Sequence, residues 1–404
     1  MDHKSGEKDS RESSRRLTTE WLYHHTYIPR HAIGDFAILI ICGVLVAGLW
    51  PFHSPRNQVY WSENENGIRF GHYGTILSSG ILESTSSAGP SCGLDIWLEP
   101  ASAWKAGTVL AFYRPLASRQ FSLQQSHTDL ALQLSIGDPR HQDRLARMFA
   151  DEVFRKRQLF ITVTSDGLNT AVYIDGRLAT RSLRFGLSMK DLSGKLIIAN
   201  SPFQSDSWSG QVRGLALYGS ELSAAKVVEH YERWTRRGKP WVADNERAIA
   251  LYLFDEHAGS VIHNQIRSGI DLHIPERYMV VHQTLLEPSW KEFRTQGSHL
   301  KNALINIGGF APLGFSMCAY FSSVRRLRRP AAATVIVGVL VSFTIEVLQS
   351  YLPTRDSGMT DLITNTLGTW VGVVSFKAAA VSLGRLLTAR HWAGCPEISP
   401  GAET

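Results

Sequence analysis

Four segments of the chain are almost entirely apolar, and each is long enough to cross a membrane as a helix. They cover residues 34–52, 303–321, 331–352 and 362–383. The hydrocarbon core of a bilayer is about 30 Å thick, which a helix spans with about 20 apolar residues. A buried helix of a soluble core is the alternative for any one segment, but three such segments in close succession favour membrane spans. The sequence therefore predicts four transmembrane helices.

The first of these segments is predicted to be an uncleaved anchor. Its charged leader is long, and the chain continues directly into Trp50-Pro51-Phe52-His53 without a small-residue cleavage site. The Arg15-Arg16 pair lies too far from the apolar stretch to indicate a twin-arginine export signal.

The distribution of basic residues predicts the orientation. Lys and Arg are concentrated in the leader (residues 1–33), in the loop 325–329 with its four arginines, and in the tail (residues 385–404). Such residues are enriched in cytoplasmic loops. Four spans put these three segments on one side of the membrane, so we expect both termini in the cytoplasm and residues 53–299 outside.

Between residues 53 and 278 the pattern changes to short alternating strands that are separated by Gly, Ser, Asp and Pro. The candidate strands are 94–100, 107–115, 121–125, 130–136, 159–167, 170–179 and 195–200. Period-two alternation with turn residues between strands predicts an all-β sandwich or jelly roll. Asp175-Gly176 predicts a hairpin turn, and residues 223–234 predict a short amphipathic helix.

The predicted fold class is an α-helical membrane bundle of four transmembrane helices, with an all-β jelly-roll sandwich inserted between helices 1 and 2. A linker at 279–299 would lead into a three-helix region at 300–384.

The composition argues against nucleic-acid binding, a disulfide in the β region and a metal site. The net charge is +6, but the basic residues form no continuous stripe with aromatic residues, so nucleic-acid binding is not expected. Cys42 and Cys318 lie in apolar segments and Cys395 in the tail, which leaves Cys92 alone in the β region. No intradomain disulfide and no metal-ligand spacing follow from this set. We predict no metal and no cofactor.

Several short motifs of the β region occur in a recognisable order. They are Ile96-Trp97-Leu98-Glu99-Pro100, Ile161-Thr162-Val163-Thr164, Tyr173-Ile174-Asp175-Gly176, Trp208-Ser209-Gly210-Gln211-Val212, Leu215-Ala216-Leu217-Tyr218 and a helix through Val228, His230, Tyr231 and Trp234. Over residues 57–235 this order resembles the LamG-like, concanavalin A-like jelly rolls. Members of that family mostly bind glycans or proteins, and some are glycosidases. Residues 250–255 look like a strand that usually opens such domains, so we expect a different arrangement of the edge strands here.

The chemistry of the β region favours binding over hydrolysis. A glycosidase needs two carboxylates facing each other across a cleft, and no closely spaced acidic pair lies on a single strand. Asp166, Asp175 and Asp206 are candidates for calcium, although acids in turns are more often solvated. Four tryptophans are candidates for stacking on sugars: Trp61, Trp97, Trp104 and Trp208. Trp97 lies between apolar neighbours, which favours a place in the core.

The last three apolar segments carry polar residues at helical spacing. The six residues form three pairs: Asn302 and Asn306, Glu346 and Gln349, and Asp361 and Asn365. In the predicted topology all six lie at the outer depth of the membrane. An ionisable group inside a span costs at least a few kcal/mol and normally faces a bundle interior or a cavity with a partner. Arg355, in the adjoining loop, is the natural counter-charge for Glu346 or Asp361.

We take these six residues and Arg355 as candidate ligand-binding residues, with no catalytic residue assigned. The alternative is structural, because Asn and Gln side chains also hydrogen-bond helices to one another.

The same residues carry a second resemblance. Asn302-x3-Asn306, Pro312-Leu313-Gly314-Phe315, Glu346-x2-Gln349-x3-Pro353-x-Arg355 and Asp361-x3-Asn365-x2-Gly368 resemble the VanZ-like membrane family over residues 299–376. VanZ itself is associated with low-level resistance to the glycopeptide antibiotic teicoplanin. The inserted β region is a departure from the compact members of the family.

The sequence thus predicts an integral protein of the cell envelope, in the inner membrane of a two-membrane cell. It would engage an envelope lipid, lipid-linked glycan or glycopeptide at the polar layer, and a carbohydrate or protein through the sandwich. One alternative is a membrane enzyme acting on a lipid-linked sugar, with Glu346 or Asp361 as general base. The other is an adhesive or scaffold protein whose helices only anchor it. The identity of the ligand and the oligomeric state stay open.

Overall fold

The structure is a computed structural model in which the chain forms two compact units. The described residues are 30–83, 90–115, 119–138, 141–155, 158–203, 206–238, 240–242, 247–267, 269–289, 299–324 and 327–393. Ser54–Gln283 form one unit, called here the sandwich; Met1–His53 and Thr284–Thr404 form the other, called the helical unit.

The described residues contain five α-helices. They are α1 (Arg30–Leu49), α2 (Ala224–Arg237), α3 (His299–Ser323), α4 (Pro330–Gln349) and α5 (Met359–Ala393). All but α2 belong to the helical unit, and these four are long and apolar enough to cross a membrane. Helix α3 begins before the predicted segment 303–321 and α5 before 362–383, because their polar first turns are helical as well.

Glycine allows the helices of this unit to pack closely. A Cβ atom at Gly372 of α5 would collide with the backbone of Ala311 and Phe315 in α3, and one at Gly314 with the Thr369 carbonyl. A Cβ at Gly338 of α4 would meet the Thr369 side chain. Without a hydrophobic driving force inside lipid, such close approach of backbones is the usual basis of helix association.

The sandwich consists of two antiparallel sheets. The first sheet has the order β1-β2-β13-β4-β9-β10-β11, with β14 also paired to β13; the second has the order β15-β16-β3-β12-β5-β6-β7-β8. The strands of the first sheet are β1 (Val59–Trp61), β2 (Ile68–Phe70), β4 (Cys92–Pro100), β9 (Leu159–Ser165), β10 (Thr170–Ile174), β11 (Arg177–Ser182), β13 (Gly210–Tyr218) and β14 (Ala248–Tyr252). Those of the second are β3 (Ile76–Ser78), β5 (Gly107–Tyr113), β6 (Arg119–Ser126), β7 (Asp129–Asp138), β8 (His141–Ala150), β12 (Lys195–Ile198), β15 (Val261–Ile262) and β16 (Leu272–His273).

These two antiparallel sheets and the four apolar helices confirm the predicted fold class. The inward-facing residues of both sheets form one large hydrophobic core, and α2 packs on the outer face of the first sheet, where Trp234 and Phe160 belong to a second cluster. Ser223 caps the start of α2, as expected for a residue with a side-chain acceptor at that position. The predicted strand 170–179 is a hairpin whose turn is Asp175-Gly176, with φ values of 53° and 77°.

Strand β14 accounts for the unusual position of residues 250–255. It pairs with Leu215–Tyr218 of β13, while β2 pairs with Gly210–Val212 of the same strand. Two strands therefore share one edge of β13, one following the other along it.

Candidate functional site

A polar layer lies at one end of the helical unit, where α3, α4 and α5 carry the predicted site residues. Asn306 of α3 donates from Nδ2 to Asp361 Oδ1 of α5 at 2.7 Å, and to the Thr364 hydroxyl at 3.1 Å. Asn302 lies exposed near the start of α3. Of the first pair, Asn306 therefore contributes two hydrogen bonds between α3 and α5.

Two further hydrogen bonds connect helices in this layer. Asn365 of α5 donates from Nδ2 to Ser342 Oγ of α4 at 3.0 Å. Gln349 donates from Nε2 to the Gly48 carbonyl of α1 at 2.8 Å. The layer thus joins α1, α3, α4 and α5 through side chains that the sequence marked as candidates.

Glu346 is the most deeply buried acid of the layer. It is 1% exposed in an otherwise apolar helix, and its Oε2 accepts the backbone N–H of Gly358 at 2.9 Å. Gly358 ends the α4–α5 loop (residues 350–358), so the carboxylate holds the end of that loop against α4.

The same loop is bound by the two chain segments that adjoin the sandwich. The guanidinium of Arg355, which we expected to neutralise Glu346 or Asp361, donates to the Trp50 carbonyl just after α1. On the other side, Glu287 N–H donates to the Ser357 carbonyl at 2.8 Å and Met359 N–H to the Glu287 carbonyl at 2.9 Å. The predicted linker 279–299 therefore contains a segment paired with this loop, which no sequence pattern indicated.

Among the described residues of the helical unit, four buried side-chain atoms have no hydrogen-bond partner. They are Gln349 Oε1, Thr354 Oγ1, Thr360 Oγ1 and Asn365 Oδ1. Buried polar groups are normally paired, so each such atom requires an explanation.

In the sandwich, the four candidate tryptophans occupy different environments. Trp208 is buried and donates to Gln125 at 2.7 Å, and Trp97 is buried as expected. Trp61 is half-buried and donates to the Gly259 carbonyl. Trp104, in the turn between β4 and β5, is 70% exposed. Among the four, only Trp104 presents most of its surface to solvent.

The outer face of β6, β7 and β8 is open and rich in amides. Three rows cross these strands: Ser122, Gln133 and Arg147; Gln124, Ala131 and Phe149; Gln120, Ser135 and Leu145. Their neighbours along each strand belong to the core, so these side chains point away from it. Arg147 donates to the Gln133 amide oxygen at 3.2 Å, and Phe149 is largely exposed. Strand β8 escaped the sequence prediction because its exposed apolar residues interrupt the alternation.

The acids proposed for calcium are engaged elsewhere. Asp166 accepts hydrogen bonds from the Asn169 N–H, the Asn169 side chain and the Leu168 N–H, and these bonds lower its pKa to about 2. Asp175 accepts from the Phe160 N–H and Asp206 from the Thr108 hydroxyl. The described residues include no group of three metal-ligating acids, histidines or cysteines.

Two carboxylates that the sequence did not pair meet at one arginine on the first sheet. Arg213 contacts Glu65 at 2.6 Å and Glu99 at 3.3 Å, and its guanidinium lies 5.5 Å from the Trp97 ring centroid. The hydrogen bond from Arg213 lowers the pKa of Glu65. An arginine that binds both acids neutralises them, which does not suit an acid–base pair.

A buried network fastens α2 to the first sheet. Asp95 Oδ2 lies 2.7 Å from His230 Nδ1 and accepts the Tyr218 hydroxyl at 2.9 Å, while Thr162 donates to Asp95 Oδ1. Asp95 and His230 are both fully buried. The network lies between α2 and the first sheet, away from β6, β7 and β8 of the second sheet.

Two family models match the chain. One described as VanZ/LLP1 matches residues 249–381, and one described as the concanavalin A-like lectin/glucanases superfamily matches residues 82–228. The chain therefore joins a VanZ-like domain to a concanavalin A-like domain, as both resemblances predicted. No curated protein is significantly similar to it in sequence.

Solved structures resemble the chain at low identity. A Bacteroides ovatus protein to which carbohydrate binding is ascribed is 11% identical, with a TM-score of 0.36, and the match covers 57% of this chain and 63% of that one. The CBM40 of a Ruminococcus gnavus IT-sialidase, bound to α2,3-sialyllactose, is 11% identical with a TM-score of 0.31, covering 41% and 96%. A SAP-like pentraxin from Limulus polyphemus is 13% identical with a TM-score of 0.32, covering 55% and 95%. The chain spans less than two thirds of the length of the first of these.

Proposed function

We propose that this membrane protein binds an amphipathic envelope component, such as a lipid, a lipid-linked glycan or a glycopeptide, at the polar layer of its helical unit. The observation that carries the proposal is Glu346, an acid that is 1% exposed within an apolar span. Placing an ionisable residue inside a span has a high free-energy cost, so such a residue is by default a candidate for a functional role. The α4–α5 loop, which Glu346 holds, is the part of the layer that could admit a headgroup.

The proposed topology follows from the basic residues. The leader (1–33), the loop around Arg328 and Arg329, and the tail (385–404) lie in the cytoplasm, and the sandwich lies outside. The polar layer would then lie in the outer leaflet, where lipid-linked glycans are exposed.

Retention of lipid by the purified full chain in mild detergent tests the proposal. Native mass spectrometry should show a bound species of defined mass in the wild type that is lost in Glu346→Gln. Thr344→Val is the matched control, because Thr344 lies two residues away on the exposed side of α4 and bonds only its own helix, to the Leu340 carbonyl. If the wild type retains nothing, or all three proteins retain the same species, the proposal fails.

The sandwich is proposed to bind carbohydrate on the open face of β6, β7 and β8. Amide and guanidinium groups beside an exposed aromatic ring suit the hydroxyls and the apolar face of a sugar, as ligand sites combine a few polar groups with apolar surface. On a glycan array, Arg147→Ala and Phe149→Ala should each weaken binding by the full chain. Arg177→Ala, at an exposed position on β11 of the other sheet, should not. Equal binding by all variants would remove this face as the site.

A scaffold whose helices only anchor it is the second candidate. It is favoured by the direct bonds from Asn306 to Asp361 and from Asn365 to Ser342, which suffice to hold the helices together. Moving the sandwich to an unrelated single-span helix distinguishes a scaffold from a protein that binds a ligand at the polar layer. A scaffold keeps its envelope phenotype after this exchange, whereas a protein that uses the polar layer loses it.

A further inference from the structure

The unpartnered polar atoms of the helical unit lie in one stretch of the chain, between residues 349 and 365. Within its described residues, every buried side-chain nitrogen or oxygen that lacks a hydrogen bond belongs to four residues: Gln349, Thr354, Thr360 and Asn365. Gln349 directly precedes the α4–α5 loop, Thr354 lies in it, Thr360 follows its end by two residues, and Asn365 lies seven residues beyond its end in α5. Gln349 is 9% exposed and Asn365 is 5% exposed.

All four of these atoms can accept a hydrogen bond. The Gln349 amide is oriented by its donation to the Gly48 carbonyl, so the free atom is the oxygen, which can only accept. Asn365 donates in the same way to Ser342, which leaves its oxygen free. The two threonine hydroxyls accept as well as donate. A ligand that pairs with all four atoms must therefore supply hydrogen-bond donors.

A buried acceptor that is left unpaired loses its hydrogen bonds to water without replacing them, which destabilises the folded chain. An apolar residue at these positions would avoid this penalty, and valine would replace either threonine without a change of shape. Four unpaired atoms around one loop therefore indicate a place that is completed by a ligand.

We infer that the region beneath the α4–α5 loop binds a headgroup through its hydroxyl groups, as in a sugar or a glycerol, rather than through its phosphate. This inference rests on the proposed function and specifies its ligand class. A phosphate diester offers oxygen acceptors only, and would meet the Gln349 and Asn365 oxygens without forming a bond. A polyol supplies donors to both and to the Glu346 carboxylate.

The loop acts as the lid of this site. The four atoms are shielded from solvent, so the headgroup enters when residues 350–358 lift. The lid is held largely through backbone groups: the Trp50 carbonyl, the Glu287 strand segment and the Gly358 N–H. Exchanging these bonds for bonds to a ligand leaves the helix packing intact.

A panel of three lipids tests the inference, with retention by the full chain in nanodiscs measured by native mass spectrometry. Glucosyl diacylglycerol has sugar hydroxyls and no phosphate, phosphatidylglycerol has both, and phosphatidylcholine has a phosphate but no donor. The first two should be retained at least tenfold more than the third, which corresponds to about 1.4 kcal/mol. Preference for glucosyl diacylglycerol over phosphatidylglycerol identifies a sugar, and equal retention identifies any polyol.

Thr354→Val and Thr360→Val provide the sharpest variants, because each removes a hydroxyl that forms no hydrogen bond with any described residue. Neither should lower the thermal unfolding midpoint, yet both should weaken retention of the hydroxyl-bearing lipids; Thr344→Val should not. If retention is the same for all three lipids, or survives in both variants, the inference is overturned, and buried water is then sufficient to fill the site. If the wild type retains all three lipids equally and Glu346→Gln loses them, the inference fails but the proposed function stands. If the wild type retains no lipid, both the inference and the proposed function fail.

Discussion

The side chain of Gln349 donates a hydrogen bond to the backbone carbonyl of Gly48, 301 residues earlier in the chain. Gly48 lies in the last turn of α1 and Gln349 at the end of α4, so this bond joins the helix before the sandwich to a helix after it. The sandwich is thus inserted into the helical unit without dividing it. Because an apolar span offers few other donors, a glutamine amide is well suited to bond a helix carbonyl there.

Close packing of α3 against α5 leads to a first prediction. Gly372→Leu should prevent the helical unit from forming, because any side chain at this position collides with the backbone of Ala311 and Phe315. Gly309→Leu is the control, since a Cβ there meets nothing within 4 Å. We expect loss of the monodisperse peak in size-exclusion chromatography for the first variant only. Similar profiles for both would contradict this packing.

The network around Asp95 leads to a second prediction. His230→Leu should destabilise the sandwich by about 3 kcal/mol, because it leaves a buried carboxylate without one of its partners. Tyr218→Phe removes a single hydroxyl and should cost about 1–3 kcal/mol. Glu232→Ala, whose ion pair with Arg236 is on the exposed side of α2, should cost less than about 0.5 kcal/mol. Thermal unfolding of the full chain, followed by tryptophan fluorescence, measures all three; the reverse order would rule out a stabilising role of the network.

The Arg213–Glu65 pair predicts a specific dependence on pH. The pKa of Glu65 lies below its ordinary value of 4.5 in the folded chain, chiefly because Arg213 donates hydrogen bonds to it. Its stabilising contribution is therefore complete above that ordinary value and is lost as the pH falls through the lowered one. Glu65→Gln should lower the unfolding midpoint at neutral pH, and the difference from wild type should vanish in acid. Glu63→Gln, at an exposed position two residues away, should show no such pattern; a constant difference for Glu65→Gln would exclude the electrostatic explanation.

The sequence predicted that polar residues of the last three spans share one layer, and whether that layer binds a ligand stays a prediction. The helical spacing of Asn302 and Asn306, Glu346 and Gln349, and Asp361 and Asn365, combined with the topology, led to the expectation of one shared layer. In the structure, Asn306 contacts Asp361, and Asn365 contacts Ser342. Apolar spans show polar residues clearly, since each one interrupts an otherwise uniform pattern.

Partners that are backbone groups escaped prediction. Every residue has a backbone carbonyl and every residue except proline has a backbone N–H, so no sequence pattern distinguishes the Gly48 and Trp50 carbonyls or the Gly358 N–H. The pairing of Glu287 with the α4–α5 loop was missed for the same reason. In the sandwich, Glu65, Glu99 and Arg213 lie far apart in the chain, and only the pairing of β2 and β4 with β13 brings them together.

Control of the α4–α5 loop by Glu346 leads to the last prediction. Glu346→Met keeps the length of the side chain but removes the acceptor of the Gly358 N–H. The Gly358 amide should then exchange with solvent at least tenfold faster, since losing about 1.4 kcal/mol of local stability changes an opening equilibrium by that factor. Hydrogen–deuterium exchange of peptides covering residues 350–359 measures the change in the full chain.

The other bonds of the loop determine how far this effect should spread. Met359 N–H donates to the Glu287 carbonyl and Ser357 accepts from Glu287 N–H, so peptides that contain residue 287 should also exchange faster if the loop opens as a unit. Peptides from the middle of α5 should keep their protection, because the Gly372 contacts hold that helix independently. Thr344→Val should match the wild type throughout. Faster exchange at Gly358 alone would mean that Glu346 fixes one end of the loop, and unchanged exchange would mean that the Glu287 segment and Trp50 hold the loop without it.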